Sequence, residues 1–295
     1  ILARSILRIV DAPGRITGGS ILYHAADGRT VELARARPGS KALRSIRGSD
    51  ISMIFQEPMS SLGPIQKIGK QITETIRLHR GVTKAEAKAE AIDMLARVGI
   101  PRPAERFESY PFELSGGMRQ RAMIAMALSC QPRLLIADEP TTALDVTTQA
   151  QILDLIAELK EEFQMAVMLI THDLGVVAEV ADDVAVMYMG RIVEKSDVYG
   201  LFENPRHPYT RALLNSVPRI GMTSKERLPA IRGMVPHPLA RPSGCTFRTR
   251  CDHFMPGTCD LREPRLKPVA GGEVACFLHD DDDARHGRDM ESADV

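Results

Sequence analysis

The chain has 295 residues, 44% of them hydrophobic, enough to bury a sizeable core in one large domain with an appendage. Lysine plus arginine and aspartate plus glutamate each total 38, and a formal net charge of zero argues against whole-chain attraction to nucleic acid or to an anionic membrane. No run of about 18 apolar residues is present to cross a bilayer, and no charged-then-apolar leader opens the chain, so a cytosolic location is expected.

ILARSILRIV, at the start, has helical spacing, with Ile1, Ile6, Leu7 and Val10 apolar. Because the first residue is not methionine, the natural beginning is expected to lie upstream. ISMIF (51–55), RLLIA (133–137) and AVMLI (166–170) have strand length and polar or proline boundaries, and each predicts a buried strand. Between the first two, TKAEAKAEAIDMLARVGI (83–100) places Ala91, Met94, Leu95 and Val98 on one helical face and stops at Gly99 and Pro101. VTTQAQILDLIAELKEEF (146–163) repeats the amphipathic pattern through Ile152, Leu155, Ile156 and Leu159. DDVAVMYMGRIVEKS (182–196) predicts two strands turning at Gly190. This alternation is that of an α/β protein with a parallel sheet covered by helices. Pro229, Pro236, Pro238, Pro242, Pro256, Pro264 and Pro268 argue against long helices in the C-terminal third, and residues 281–295 have the composition of a disordered tail.

Chemistry concentrates at the strand ends. LLIADEPTTALD (134–145) closes an apolar run with two neighbouring carboxylates. In open α/β sheets ligands sit beyond the carboxyl ends of the strands. There Asp138 suits Mg²⁺, a hard cation that prefers oxygen, and Glu139 is free to orient or deprotonate a water. A helix cap or surface turn before Pro140 and Thr141 is the competing reading. In LSGGMRQR (114–121), which opens the helical run RQRAMIAMALSC, Ser115 and the amides around Gly116 and Gly117 stand at a helix N-terminus, where dipole and unpaired amides favour an anion. The alternative is a plain serine N-cap with flexible glycines. His172, after AVMLIT, can hydrogen-bond a phosphate or simply end a strand. Gln56, ending ISMIF, offers an amide that can touch both a metal shell and an attacking water.

In order and spacing these segments resemble the ATP-binding subunits of ABC transporters, over roughly residues 1 to 195. The resemblance implies a P-loop NTPase-like ABC ATPase core, mostly parallel sheet with a β-rich edge, over residues 1–200, with a helical subdomain at about 65–130. LSGGMRQR looks like the signature, with Gln120 counted among its nucleotide-binding residues. LLIADE looks like the second nucleotide motif, TALD (142–145) the D-loop, Gln56 the Q-loop glutamine and His172 the switch histidine. Such subunits pair head to tail. Ser115, Gly116 and Gly117 would then grip the γ-phosphate of ATP held mainly by the opposite subunit, with Asp138 and Gln56 on Mg²⁺ and Glu139 activating water. His172 and Gln56 would monitor the γ-phosphate, and Asp145 would communicate across the dimer.

One departure is large. No G-x-x-x-x-G-K-[ST] loop occurs in the 295 residues, so the nested amides, lysine and hydroxyl that hold the β- and γ-phosphates are not among them. The family places that loop just before a helix that ILARSILRIV occupies, and N-terminal truncation is the expectation. The chain alone is expected to hydrolyse ATP negligibly, and restoring the loop to restore activity.

NPRHPYTRALLNSVP (204–218) and the cysteine-bearing segment after it resemble the oligopeptide/dipeptide permease branch, whose relatives also carry nickel. This C-terminal region is expected at 201–280. The branch implies a second ATPase subunit, taken as a paralogue, two transmembrane permease subunits contacted by the helix-rich block at 65–112, and an extracytoplasmic solute-binding protein. Its place is the cytoplasmic face of the inner membrane. Cys245, Cys251, Cys259 and Cys276 cluster where a reducing compartment favours metal over disulfides, without the tight C-x-x-C pairs of a zinc finger. The resemblance suggests an iron–sulfur cluster on the four thiolates; ordinary cysteines in a loop-rich tail are the alternative. Cys130 is expected in the core. Two further functions stay open: a non-hydrolysing partner that only donates LSGGMRQR, and a DNA-repair ATPase of the same superfamily. The latter calls for coiled-coil or zinc insertions and a basic face, and neither is visible.

Overall fold

The structure, a computed structural model, describes residues 1–56, 61–142, 144–217 and 230–280. The expected tail at 281–295 lies outside them, as do Ala143 of the TALD segment and Pro229. The chain divides into two compact units, Ile1–His172 and Asp173–Val295.

In the first unit the elements run α1 (Leu2–Ile6), β1 (Leu22–His24), β2 (Thr30–Glu32), α2 (Lys41–Ile46), β3 (Ile51–Ile54), α3 (Ile68–Arg80), α4 (Lys84–Arg97), α5 (Pro103–Phe107), α6 (Gly116–Leu128), β4 (Leu134–Asp138), α7 (Val146–Phe163) and β5 (Ala166–Ile170). β4 lies between β3 and β5, parallel to both, in a register that sets Ile54 beside Ala137 and Asp138 beside Ile170. Because side chains alternate across a pleated strand, the sheet feeds two cores. Ile54, Leu135 and Ala137 enter a large cluster with α3, α4, α6 and α7, while Ile51, Met53 and Ile136 face a smaller one with Ala3, Leu7, Leu33, Leu43 and Ile46. β3 is buried throughout, as expected of a parallel strand covered on both faces. β5 differs from the expectation of burial: Val167 to Ile170 are half-buried and Ala166 exposed. It is the outer strand of the three, with β4 as its neighbour in the sheet.

Local sequence sets the helix ends. Thr83 and Glu86 form a reciprocal capping box on α4, and Gly99 follows that helix in the left-handed conformation. Such caps contribute about 1 kcal/mol each, whereas each fully buried Ile or Leu contributes about 1.5–3 kcal/mol relative to exposure, so packing dominates. Ile68, Ile72 and Ile76 of α3 and Ala87, Ala91 and Leu95 of α4 are wholly buried against each other's helices. α5 crosses α3 at Gly69, where an added Cβ would lie 2.2 Å from the Phe107 ring, so no larger residue fits without displacing that ring. The first helix is shorter than the apolar spacing of ILARSILRIV predicts. Arg8 turns to φ 54, and the Arg47 guanidinium donates to the Leu7 and Arg8 carbonyls at 2.5 and 2.8 Å, terminating the helix. Cys130 is half-buried rather than in the core, its thiol 3.8 Å from the Thr75 carbonyl.

The second unit runs α8 (Leu174–Val180), β6 (Asp183–Tyr188), β7 (Arg191–Asp197), α9 (Val198–Glu203), α10 (Pro208–Asn215), β8 (Lys267–Val269) and β9 (Gly272–Val274). β6 and β7 form the expected hairpin, whose two-residue turn holds Met189 and Gly190 at φ 46 and 77, the left-handed pair that matches strand twist. The sheet order is β6-β7-β9-β8, all antiparallel. Pro268 is tolerated because β8 is the outer strand. Tyr188, Tyr209 and Phe247 pack with ring centroids 4.7 to 5.4 Å apart at the centre of this unit's core.

Candidate functional site

The parallel register brings three strand ends to one place. Gln56 follows β3, Glu139 follows β4 and His172 follows β5. Glu139 is the hub: the Gln56 amide donates to Oε2 at 2.8 Å, the Thr142 hydroxyl donates to the same oxygen at 2.8 Å, and His172 Nδ1 lies 3.3 Å from Oε1. The backbone at Glu139 is left-handed, φ 48, a region that a non-glycine residue rarely adopts and that recurs at functional sites. Two bonds hold it, from the Glu139 amide to the Ile170 carbonyl at 2.9 Å and from the Thr142 amide to the Glu139 carbonyl at 3.2 Å. The turn aims the side chain across the strand ends instead of along β4.

The Thr142 hydroxyl, with smaller help from His172 and Gln56 and against partial burial, holds the Glu139 carboxyl below the ordinary glutamate range. It is therefore ionised at neutral pH and able to accept a proton. The Glu139 side chain is 25% exposed and that of His172 78%, so the cluster opens outward. The carboxylate of Asp138, half-buried at the end of β4, has no hydrogen-bond or ion-pair partner among the described residues, which leaves two hard oxygen donors for a cation. That donor set fits Mg²⁺. The sequence reading places Thr142 only in the TALD segment and does not assign it to Glu139; the signal is a threonine three residues after the glutamate, the spacing of a turn that folds a hydroxyl back.

The glycine-flanked serine takes its place at a helix start. Ser115 is exposed and caps α6, its hydroxyl accepting from the Met118 amide at 3.3 Å. A Cβ at Gly116 would meet nothing within 4 Å, and one at Gly117 would lie 3.3 Å from Thr148 Cγ2. No side chain at Gly116 stands over this helix start, where first-turn amides favour an anion. Asp145 caps α7, accepting from the Thr148 amide at 2.9 Å and its hydroxyl at 2.7 Å, and these bonds keep its carboxyl below the ordinary range. Gln120 departs from the expectation of nucleotide contact. It is 3% exposed, and its amide turns inward to donate to the Pro140 carbonyl.

In the second unit Cys245, Cys251, Cys259 and Cys276 line one small cavity together with His207, Phe247 and others. Burial raises the thiols of Cys245 and Cys251 and pushes Cys276 up to about 12, so they are protonated as they stand and metal binding would release protons. Among the described residues, however, no three of His, Cys, Asp or Glu are gathered closely enough to hold a metal ion. The cavity, about 10 Å³, has room for roughly one water-sized sphere. The four thiols share this cavity, but the expected four-thiolate site is not assembled in this arrangement.

A three-layer α/β fold with acids, an amide and an imidazole at the carboxyl ends of parallel strands defines a nucleotide-hydrolysing class of protein. The comparisons sharpen that class. The family model described as ABC transporter matches residues 2–142, and that for the oligopeptide/dipeptide transporter C-terminal region matches 193–259. A putative peptide import ATP-binding protein of Brucella melitensis is 52% identical over 275 residues, covering 91% of this chain and 80% of that protein. The dipeptide transport ATP-binding protein DppD of Escherichia coli is 45% identical over 280 residues, covering 95% and 83%. Among solved structures, a bacterial ABC transporter cassette determined as a dimer superposes with a TM-score of 0.56 at 25% identity, over 67% of this chain and 79% of that one. The chain belongs to the ATP-binding subunits of ABC transporters, of the oligopeptide/dipeptide import type.

Proposed function

We propose that this subunit hydrolyses ATP to drive import of peptides through membrane-embedded partners. The convergence of Gln56, Thr142 and His172 on the Glu139 carboxylate is the observation that carries the reading. Glu139 is the general base that takes a proton from the attacking water; Gln56 and His172 hold its two oxygens in place and sense the terminal phosphate beside it. Asp138 and Gln56 would hold Mg²⁺, which would supply charge neutralisation for the phosphate oxygens. Ser115, Gly116 and Gly117 serve ATP bound mainly by a second ATPase subunit, a paralogue, and Asp145 lies near the boundary between the two. The phosphate loop that completes the site in such subunits is not among the 295 residues. The cassette core extends to about residue 200, with the importer-type C-terminal region from 201 to 280.

Among the described residues no helix is long and apolar enough to cross a membrane, so attachment at the cytoplasmic face falls to permease subunits. The docking groove of the helical block, about 840 Å³, lies between α3, α4 and α5; Lys67, Lys70, Arg77, Lys84 and Lys88 outnumber Glu74 and Glu108 along it. In the assembled transporter with its solute-binding protein, dipeptide or oligopeptide is expected to raise ATP turnover and to be taken up into vesicles. ATP turnover that ignores every peptide offered would remove peptide import and leave the ATPase.

The iron–sulfur reading rests on four thiols lining one cavity. Were these thiols to draw together on a cluster, anaerobically purified protein would be brown, with thiolate-to-iron charge-transfer absorption that Cys276→Ser reduces. Colourless protein carrying zinc, or no metal, would end it.

A further inference from the structure

Gln120 is buried in the second turn of a helix whose other buried residues are Ala122, Met123, Ile124, Ala125, Ala127 and Leu128, a place where an apolar side chain of similar length would pack as well. What the amide adds is direction. It donates to the carbonyl of Pro140, the residue directly after Glu139. Proline has no N–H and a nearly fixed φ, so a hold on its carbonyl passes stiffly to the preceding residue. That residue is Glu139, already in a left-handed turn closed by Thr142. Further along, α6 meets the same segment again: Gly117 abuts Thr148, whose hydroxyl binds Asp145, and the Arg121 guanidinium donates to Gln151 at 3.3 Å while also donating to the Val98 carbonyl at 2.7 Å. α6 is therefore hydrogen-bonded to the stretch from Glu139 to Thr148 at Pro140 and lies close to it at Thr148, with Ser115 on its exposed tip.

We infer that Gln120 is a positioning residue that couples the two nucleotide sites: through the Pro140 carbonyl it transmits the position of the Ser115 helix, which serves the partner's ATP, to Glu139, which serves its own. This rests on the head-to-tail reading above. A nucleotide engaged by Ser115 draws on α6, and the amide tie carries that displacement to the catalytic turn, so Glu139 reaches its working position when both sites are filled.

The test uses the assembled ATPase. Gln120→Met keeps the volume and removes the donor; it is expected to lower kcat about tenfold with KM for ATP changed less than about twofold, the signature of an interaction made at the chemical step rather than in binding. Gln120→Glu supplies a readout that simple packing would not move. Ionised, it sets an acceptor against the Pro140 carbonyl; protonated, it donates again, and burial favours the protonated form. Its turnover relative to wild type is expected to recover as pH falls. Gln120→Met with wild-type kcat, or a Gln120→Glu pH profile parallel to wild type, would overturn the coupling. An inactive wild-type assembly would instead overturn the ATPase reading.

Discussion

Glu139→Gln in the assembled ATPase is expected to lower ATP turnover by about 10²-fold or more, the usual cost of losing a general base, while ATP still binds. The substitution keeps the shape of the side chain and its contacts with Thr142, Gln56 and His172, so the fold has no reason to change. What disappears is the negative oxygen that accepts a proton from water. The lowered pKa of Glu139 sharpens the expectation, because the wild-type group is ionised over the whole neutral range and its neutral replacement is not a pH-shifted version of it. Single-turnover hydrolysis beside nucleotide binding separates the two effects. A variant that hydrolyses at the wild-type rate would take Glu139 out of the base role and leave its hydrogen bonds as a capping arrangement.

The second large effect is expected at Gly116. Gly116→Asp places its Cβ in open space, with nothing within 4 Å, so the free subunit should keep its melting temperature. In the nucleotide-bound pair the new carboxylate stands in front of the α6 amides, where the partner's terminal phosphate belongs, and repels it. Turnover is expected to fall about 10²- to 10³-fold, the scale seen when a preorganised anion-stabilising group is lost. Gly117→Asp is less informative because its Cβ would crowd Thr148 at 3.3 Å and disturb α7 in the free subunit as well. Normal turnover in Gly116→Asp would mean that this helix start faces no phosphate.

Periodicity made much of this legible. Long amphipathic segments such as 146–163 appear as helices with the same ends, because Asp145 caps one end and Gln164 leaves the helix in the left-handed region at the other. Strand positions at 51, 134 and 166 follow from short apolar runs, but whether such a run is central or outermost depends on neighbours far away in sequence; β5 shows this by being half-exposed. The site residues could be picked out because strand ends and helix starts are local features. Their convergence was not local: Gln56 and Glu139 meet across 83 positions of sequence, through strand register alone. Gln120 shows the converse, since a polar residue inside a signature segment reads as a ligand until its burial is seen. The β8–β9 hairpin was hidden by prolines that an outer strand tolerates. The cysteines share a cavity as their spacing hinted, but spacing carries no information about how closely the thiols approach one another, and among the described residues they do not gather into a metal site.

The most direct measurement is an electron-cryomicroscopy structure of the assembled transporter, with Glu139→Gln in place to hold ATP and Mg²⁺ unhydrolysed. In it the γ-phosphate next to Asp138 and residue 139 of this chain should be contacted by the serine and glycine amides of the partner ATPase, and Ser115 and Gly116 of this chain should contact the γ-phosphate of the partner's nucleotide. A nucleotide whose every protein contact comes from one chain, with Ser115 facing solvent, would contradict that arrangement.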